Sequence, residues 1–219
     1  MNSPRIKICG LTRLDDALMA SSCGAWALGF IFYEKSPRYL SFEKAQKLFF
    51  SLRQTLKNAA PTMVGVFVDA TAAIILDHVE TLGLEVIQLH GDETPEFCAS
   101  LKAQRSHIRV VKAFRFDAPS QLAAIESYRV CDAILLDTYV PGQKGGTGLV
   151  NDIELVNAAL PMHEKIIFAG GLRPENIASI SANVQAYAFD VSSGIEVSPG
   201  VKDEKKMRLL FGNARNVSC

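Results

Sequence analysis

The stretch A-I-L-L-D-T-Y-V-P-G-Q-K-G-G-T-G, residues 133–148, opens with four apolar residues and reaches an acid at Asp137. It then enters a loop with glycines at 142, 145, 146 and 148. A short buried run that ends in a carboxylate and a pliant loop is how a parallel strand delivers a reactive group to its carboxyl end. The glycines let loop backbone come close to a ligand or take up positive φ. An acid at a strand end also serves as an ordinary turn or cap residue. The functional reading gains weight because the rest of the chain repeats the layout.

Towards the C-terminus, Lys165 to Ala169 reads as a strand followed by Gly170-Gly171 and a helix with Pro174 in its first turn. Ala186 to Val191 follows, with Ser192-Ser193-Gly194 after it, and Met207, Leu210 and Phe211 mark a last helix. Towards the N-terminus, strands are expected at Arg5 to Cys9, Ala25 to Phe32, Met63 to Val68, Glu85 to His90 and Ile108 to Phe114. Helical spacing of apolar residues separates them: Leu14 to Cys23, the set Phe42, Ala45, Leu48, Phe49 and Leu52 behind a Ser41 cap, and Ile75, Val79 and Leu82. Thr94-Pro95-Glu96 reads as cap, first-turn proline and first-turn acid. Further helices are expected near Pro119 to Tyr128 and from about Asn151 or Asp152. Strands alternating with helices imply a parallel sheet, and eight units of about 27 residues each give a single (β/α)8 TIM barrel over residues 1–219. A doubly wound open sheet is the alternative, and the lack of G-x-G-x-x-G after the first strand weighs against it.

Lys and Arg together number 23, as do Asp and Glu, so no overall basicity argues for nucleic acid or an anionic membrane. The longest apolar run, around Ala25 to Tyr33, is too short to span a bilayer, and the N-terminus lacks a signal-peptide apolar core. Five cysteines, at 9, 23, 98, 131 and 219, without C-x-x-C, favour reduced thiols and a cytoplasmic setting. The four histidines show no ligand spacing, so no metal site is expected. The K-D-E-K-K run at 202–206 reads as a solvated helix face.

A barrel of this kind places its active site at the carboxyl ends of the strands, with phosphate often held by the loops after the seventh and eighth. Gly170, Gly171, Ser193 and Gly194 occupy those loops, where small residues let N–H groups approach phosphate oxygens and a following helix adds its positive end. The other strand ends carry Cys9, His90, Asp137 and Asp190. Cys9 and Asp137, on the first and sixth strands, are placed to face each other across the mouth.

These residues fall within a series of longer matches: K-I-C-G-L-T-R at 7–13, G-F-I-F-Y-E-K-S-P-R at 29–38, G-V-F-V-D at 65–69 and Q-L-H-G-D-E at 88–93. L-L-D-T at 135–138 and G-G-T-G at 145–148 follow, then A-G-G-L-R-P-E-N at 169–176, D-V-S-S-G-I-E at 190–196 and G-V-K-D at 200–203. In this order and over nearly the whole chain, the sequence resembles the phosphoribosylanthranilate isomerase family of tryptophan biosynthesis. One departure is Asn151-Asp152-Ile153 where the family commonly has Phe-Asp-Trp.

The resemblance implies a cofactor-independent Amadori rearrangement of N-(5-phosphoribosyl)anthranilate, with Asp137 as general acid and Cys9 as general base. It also implies that Arg38 reads the anthranilate carboxylate, that His90 and Asp190 bind substrate, and that the chain is a monomer. Neighbouring aldose–ketose isomerases or synthases and a non-catalytic sugar-phosphate barrel are the competing readings. Retention of Cys9, Arg38 and Asp137 disfavours both. An ordinary aspartate (~3.9) is ionised at neutral pH, so apolar burial and a nearby substrate phosphate are expected to keep Asp137 protonated. An ordinary cysteine (~8.5) is mostly thiol, and Lys7 shares the strand parity of Cys9, but the sequence places neither its charge nor that of Arg13.

Overall fold

Eight short runs dominated by Ile, Val, Leu, Phe and Ala close into a parallel barrel in chain order. They are β1 (Ile6–Ile8), β2 (Ala27–Ile31), β3 (Thr62–Phe67), β4 (Val86–Leu89), β5 (Arg109–Arg115), β6 (Ala133–Asp137), β7 (Ile166–Ala169) and β8 (Ala188–Val191). The structure, a computed structural model, describes residues 3–57, 60–115, 119–137 and 148–215. The last strand returns to the first, with Lys7 in register with Asp190. The closed ring settles the architecture in favour of the barrel over the open sheet.

Successive side chains of a strand point to opposite faces, and this divides the buried residues into two layers. Ala27, Val64, Val86, Val111, Ala133, Leu135, Ile167 and Ala188 belong to the cluster that fills the barrel, where small and branched side chains fit the narrow interior. The complementary positions, among them Leu28, Phe30, Ile87, Ile134, Phe168 and Phe189, pack outward against the helices.

The helices are α1 (Leu14–Cys23), α2 (Phe42–Leu56), α3 (Ala72–Leu82), α4 (Pro95–Gln104), α5 (Gly148–Ala159), α6 (Ile177–Asn183) and α7 (Glu204–Arg215). Ser41, Thr71 and Thr94 each accept a hydrogen bond from a backbone N–H three residues on, and Pro95 opens α4. Gly24 and Gly83 end α1 and α3 at positive φ. None of the described helices is long and apolar enough to cross a membrane.

Four local expectations change. The Pro119–Tyr128 connection is a 3₁₀ helix, α5 starts at Gly148, and α6 starts at Ile177 with Pro174 in the preceding turn. The fourth change bears on function. Between β8 and α7 the chain forms a small antiparallel hairpin, β9 (Glu196–Ser198) and β10 (Val201–Lys202). Lys202 therefore belongs to a strand, with its side chain fully buried, rather than to a solvated helix face. The solvated face begins with Glu204, behind Asp203, which accepts from the Lys206 N–H.

Candidate active site

Side-chain parity brings the chemistry to one place. Lys7 and Cys9, Gln88 and His90, Leu135 and Asp137, and Ala188 and Asp190 share inward-facing registers at the carboxyl ends of their strands. They open into a cleft of about 600 Å³ whose lining includes Cys9, Arg38, His90, Asp137 and Asp190. Gly170, Gly171 and Ser193 line the same cleft. Thus all the residues singled out in the sequence meet there except Gly194, which sits one residue behind the lining.

Gly194 has a packing task. A Cβ on it would stand 1.9 Å from the Leu172 carbonyl oxygen, so only glycine lets the loop after β8 lie against the loop after β7. Gly171 is at φ +61° and a Cβ there would meet nothing within 4 Å, which leaves the space beside it open. The Asn176 amide donates to the Gly171 carbonyl and its oxygen accepts from the Arg173 N–H, which fixes the first loop. The segment after Ser192 is a single 3₁₀ turn, Ser193–Ile195, so the long helix expected to follow the second loop is delayed until α7.

Asp137 has polar neighbours on the cleft side. Its Oδ2 lies 3.5 Å from the Arg115 Nε and 3.6 Å from the His90 Nε2. This replaces the apolar surround that the sequence suggests. His90 Nε2 is itself buried and makes no hydrogen bond with the described residues.

Cys9 is buried, and burial pushes its thiol above the ordinary range; Asp190 adds to this, while Lys7 and Lys202 pull it back. Lys7 is buried too. Its Nζ donates to Asp190 Oδ2 at 2.7 Å, and although burial acts to lower its pKa, the carboxylate and Cys9 hold it above that of an ordinary lysine. Arg13 is turned away, largely exposed beside Asp15. The other oxygen of Asp190, Oδ1, is buried without a partner among the described residues.

Arg38 approaches from the loop after β2. Ser36 Oγ accepts from its N–H, and its stem packs so closely on Gly10 that a Cβ there would lie 2.5 Å from its Cδ. Its Nε–Nη2 edge is held by Glu196. Glu196 is held in turn by Lys202, whose Nζ donates to Glu196 Oε1 at 2.8 Å and to the Cys9 carbonyl at 2.6 Å. Glu196 and Lys202 were not singled out from the sequence. Both lie in matched segments, but a charge run that ends in a helix hides a buried lysine two residues before it.

The sequence matches the family described as N-(5′-phosphoribosyl)anthranilate (PRA) isomerase over residues 6–213. It is 45% identical to the N-(5′-phosphoribosyl)anthranilate isomerase of Geobacter sp. (strain M21) over 214 residues, 98% of this chain and 99% of that protein. A crystal structure of phosphoribosyl anthranilate isomerase from Thermotoga maritima aligns with a TM-score of 0.86 at 36% identity, covering 97% of this chain and 98% of that one. A further isomerase structure, with a TM-score of 0.83 at 35% identity and the same coverage, is a complex with reduced 1-(o-carboxyphenylamino)-1-deoxyribulose 5-phosphate. The Thermotoga maritima enzyme is also described as dimeric.

Proposed function

Because the chain belongs to the N-(5′-phosphoribosyl)anthranilate isomerase family, we propose that it converts N-(5-phosphoribosyl)anthranilate to 1-(2-carboxyphenylamino)-1-deoxyribulose 5-phosphate, a step of tryptophan biosynthesis. Asp137 protonates the furanose ring oxygen as the C1′–O bond breaks, and the nitrogen lone pair forms an iminium. The Cys9 thiolate then takes the C2′ proton, and the released electron pair neutralises the iminium as an enol forms. Addition of a proton at C1′ and loss of one from the C2′ hydroxyl give the ketose; Cys9 and Asp137 are reset with solvent. No cofactor enters the balance.

Arg38 receives the anthranilate carboxylate on the edge that Glu196 leaves open, since a planar fork suits two carboxylate oxygens. Gly170, Gly171, Ser193 and Gly194 hold the phosphate. His90 and Asp190 bind the sugar, the latter through its unpartnered Oδ1. The observation that carries this reading is the convergence of Cys9, Asp137, Arg38 and the two glycine-rich loops on one cleft. Every assigned group comes from one chain, taken as one barrel domain over residues 1–219, so a monomer suffices for turnover.

The test is purified protein with freshly made phosphoribosylanthranilate, with and without an enzyme that consumes the ketose. Formation of the ketose at a rate proportional to protein is expected. Phosphate-competitive binding without turnover would overturn the reading in favour of a sugar-phosphate-binding barrel.

A further inference from the structure

The isomerase needs a thiolate at Cys9, yet Cys9 is buried, and burial opposes the charged form. A compensating cation has to come from within the barrel. A Cβ placed on Gly29 would lie 2.9 Å from the Cys9 Sγ and 3.1 Å from the Lys7 Nζ. The two atoms thus converge over one glycine on β2, separated by at most about the sum of those reaches, and any larger residue at 29 would enter the space they share. Lys7 lies in β1 and Cys9, two positions on, directly follows the strand's last residue, while Asp190 is the register partner of Lys7 on the neighbouring strand. The three side chains therefore project together into the barrel mouth.

Resting on the isomerase reading, we propose that Lys7 is a positioning residue for the reaction: its buried ammonium, shared between Asp190 and Cys9, is the cation against which Cys9 holds its negative charge. The other charged groups facing Cys9 do not do this as directly. Lys202, from β10, spends its donors on the Cys9 and Ser192 carbonyls and on Glu196. Arg38, from the loop after β2, is bound by the same glutamate. Lys7 alone among these cations has its charge set against Asp190, whose second oxygen is buried at the cleft without a partner among the described residues.

That free oxygen gives the arrangement a response to substrate. A sugar hydroxyl donating to Asp190 Oδ1 draws on the same carboxylate charge that holds Lys7. The hold of Asp190 on the ammonium weakens, and the attraction between Lys7 and Cys9 counts for more. Lys7 stays protonated throughout; the proton that leaves Cys9 before turnover goes to water, and the one it gains comes from C2′. Substrate binding and base activation are thereby joined through one carboxylate.

The test follows the alkylation of Cys9 by iodoacetamide against pH, with the modified peptide read by mass spectrometry. It uses the parent, Lys7→Met, Asp190→Asn and the double variant. Lys7→Met is expected to slow Cys9 alkylation at neutral pH about tenfold or more, and Asp190→Asn to speed it, because one removes the cation and the other its competitor. The acid limb of kcat/KM in Lys7→Met is expected to move to higher pH in parallel. Should Lys7→Met fail to fold with Asp190 buried alone, the double variant removes both charges together, and its comparison with Asp190→Asn isolates the ammonium. Coincident alkylation profiles for Asp190→Asn and the double variant would overturn the proposal. Alkylation needs no substrate, so a parent that fails to isomerise phosphoribosylanthranilate would refute the activity and leave the charge pairing decided separately.

Discussion

Arg38 and Glu196, 158 residues apart in the chain, meet in a two-pronged ion pair, with Nε 2.9 Å from Oε1 and Nη2 2.7 Å from Oε2. The arginine is thus held in position before any ligand arrives, which reduces the side-chain entropy lost on binding. Glu196 carries two cations. Burial acts to raise its pKa, but Arg38 and Lys202 outweigh this and hold its carboxyl below the ordinary glutamate range. A lowered folded-state pKa gives stability that is present above the unfolded value, ~4.3, and disappears as the pH falls through the folded one. Glu196→Gln should therefore unfold at lower urea concentration than the parent at pH 7, and the difference should shrink as the pH falls below about 4. A gap that stays constant across that range would mean that the glutamate contributes by shape alone.

Arg38→Lys keeps the charge and loses the fork on both sides. Binding of phosphoribosylanthranilate should weaken by about 1–3 kcal/mol, measured as KM or as inhibitor affinity. An aniline analogue without the carboxylate should bind the parent poorly and lose little more in the variant. Equal losses for the two substrates would assign the arginine to loop support through Glu196.

Asp137→Asn removes the transferable proton and retains size and much of the hydrogen bonding. A fall in kcat of at least ~10²-fold with a modest change in KM is expected. Activity within about a factor of two of the parent would move the acid elsewhere, with Asp190 next in line.

Cys9→Ser puts a hydroxyl where the thiol was; the hydroxyl does not ionise near neutral pH and, uncharged, is a far weaker base than a thiolate. Its kcat should fall by more than ~10²-fold although its volume barely changes. A product analogue should protect Cys9 from alkylation in the parent. Protection of Cys23 or Cys98 instead would contradict the placement of the base.

Gly171→Val puts a branched side chain where φ is +61°, and Ser193→Asp adds a negative charge beside a bound dianion. Both should raise KM strongly, and inorganic phosphate should compete with substrate. If KM were unchanged in both variants, the phosphate would have to sit away from the loops after β7 and β8.

The barrel was legible because the alternation of short apolar runs with helical spacing is written along the chain, and because the caps at Ser41 and Thr94 are local signals. The strand-end residues were legible for the same reason: parity along a short strand fixes which side chains share a face. Pairings across the chain were not. Lys7 meets Asp190 at a separation of 183 residues, and only the closure of β1 on β8 creates that pair. Lys202 was misread because its neighbours Asp203 to Lys206 carry the polar pattern of a surface helix, and nothing local announces the two-residue strand before it. The surround of Asp137 was misjudged for a related reason, since Arg115 reaches it from an adjacent strand.

The hairpin of β9 and β10 closes a link that the barrel strands do not make themselves. Cys9 and Lys202 are 193 residues apart, yet the lysine holds the Cys9 carbonyl, and β1, which ends just before Cys9, pairs with β8. A chain cut before residue 202 would keep Cys9, Asp137 and the loops after β7 and β8 and lose the lysine that holds the Cys9 carbonyl. The eight barrel strands alone therefore leave that carbonyl untied.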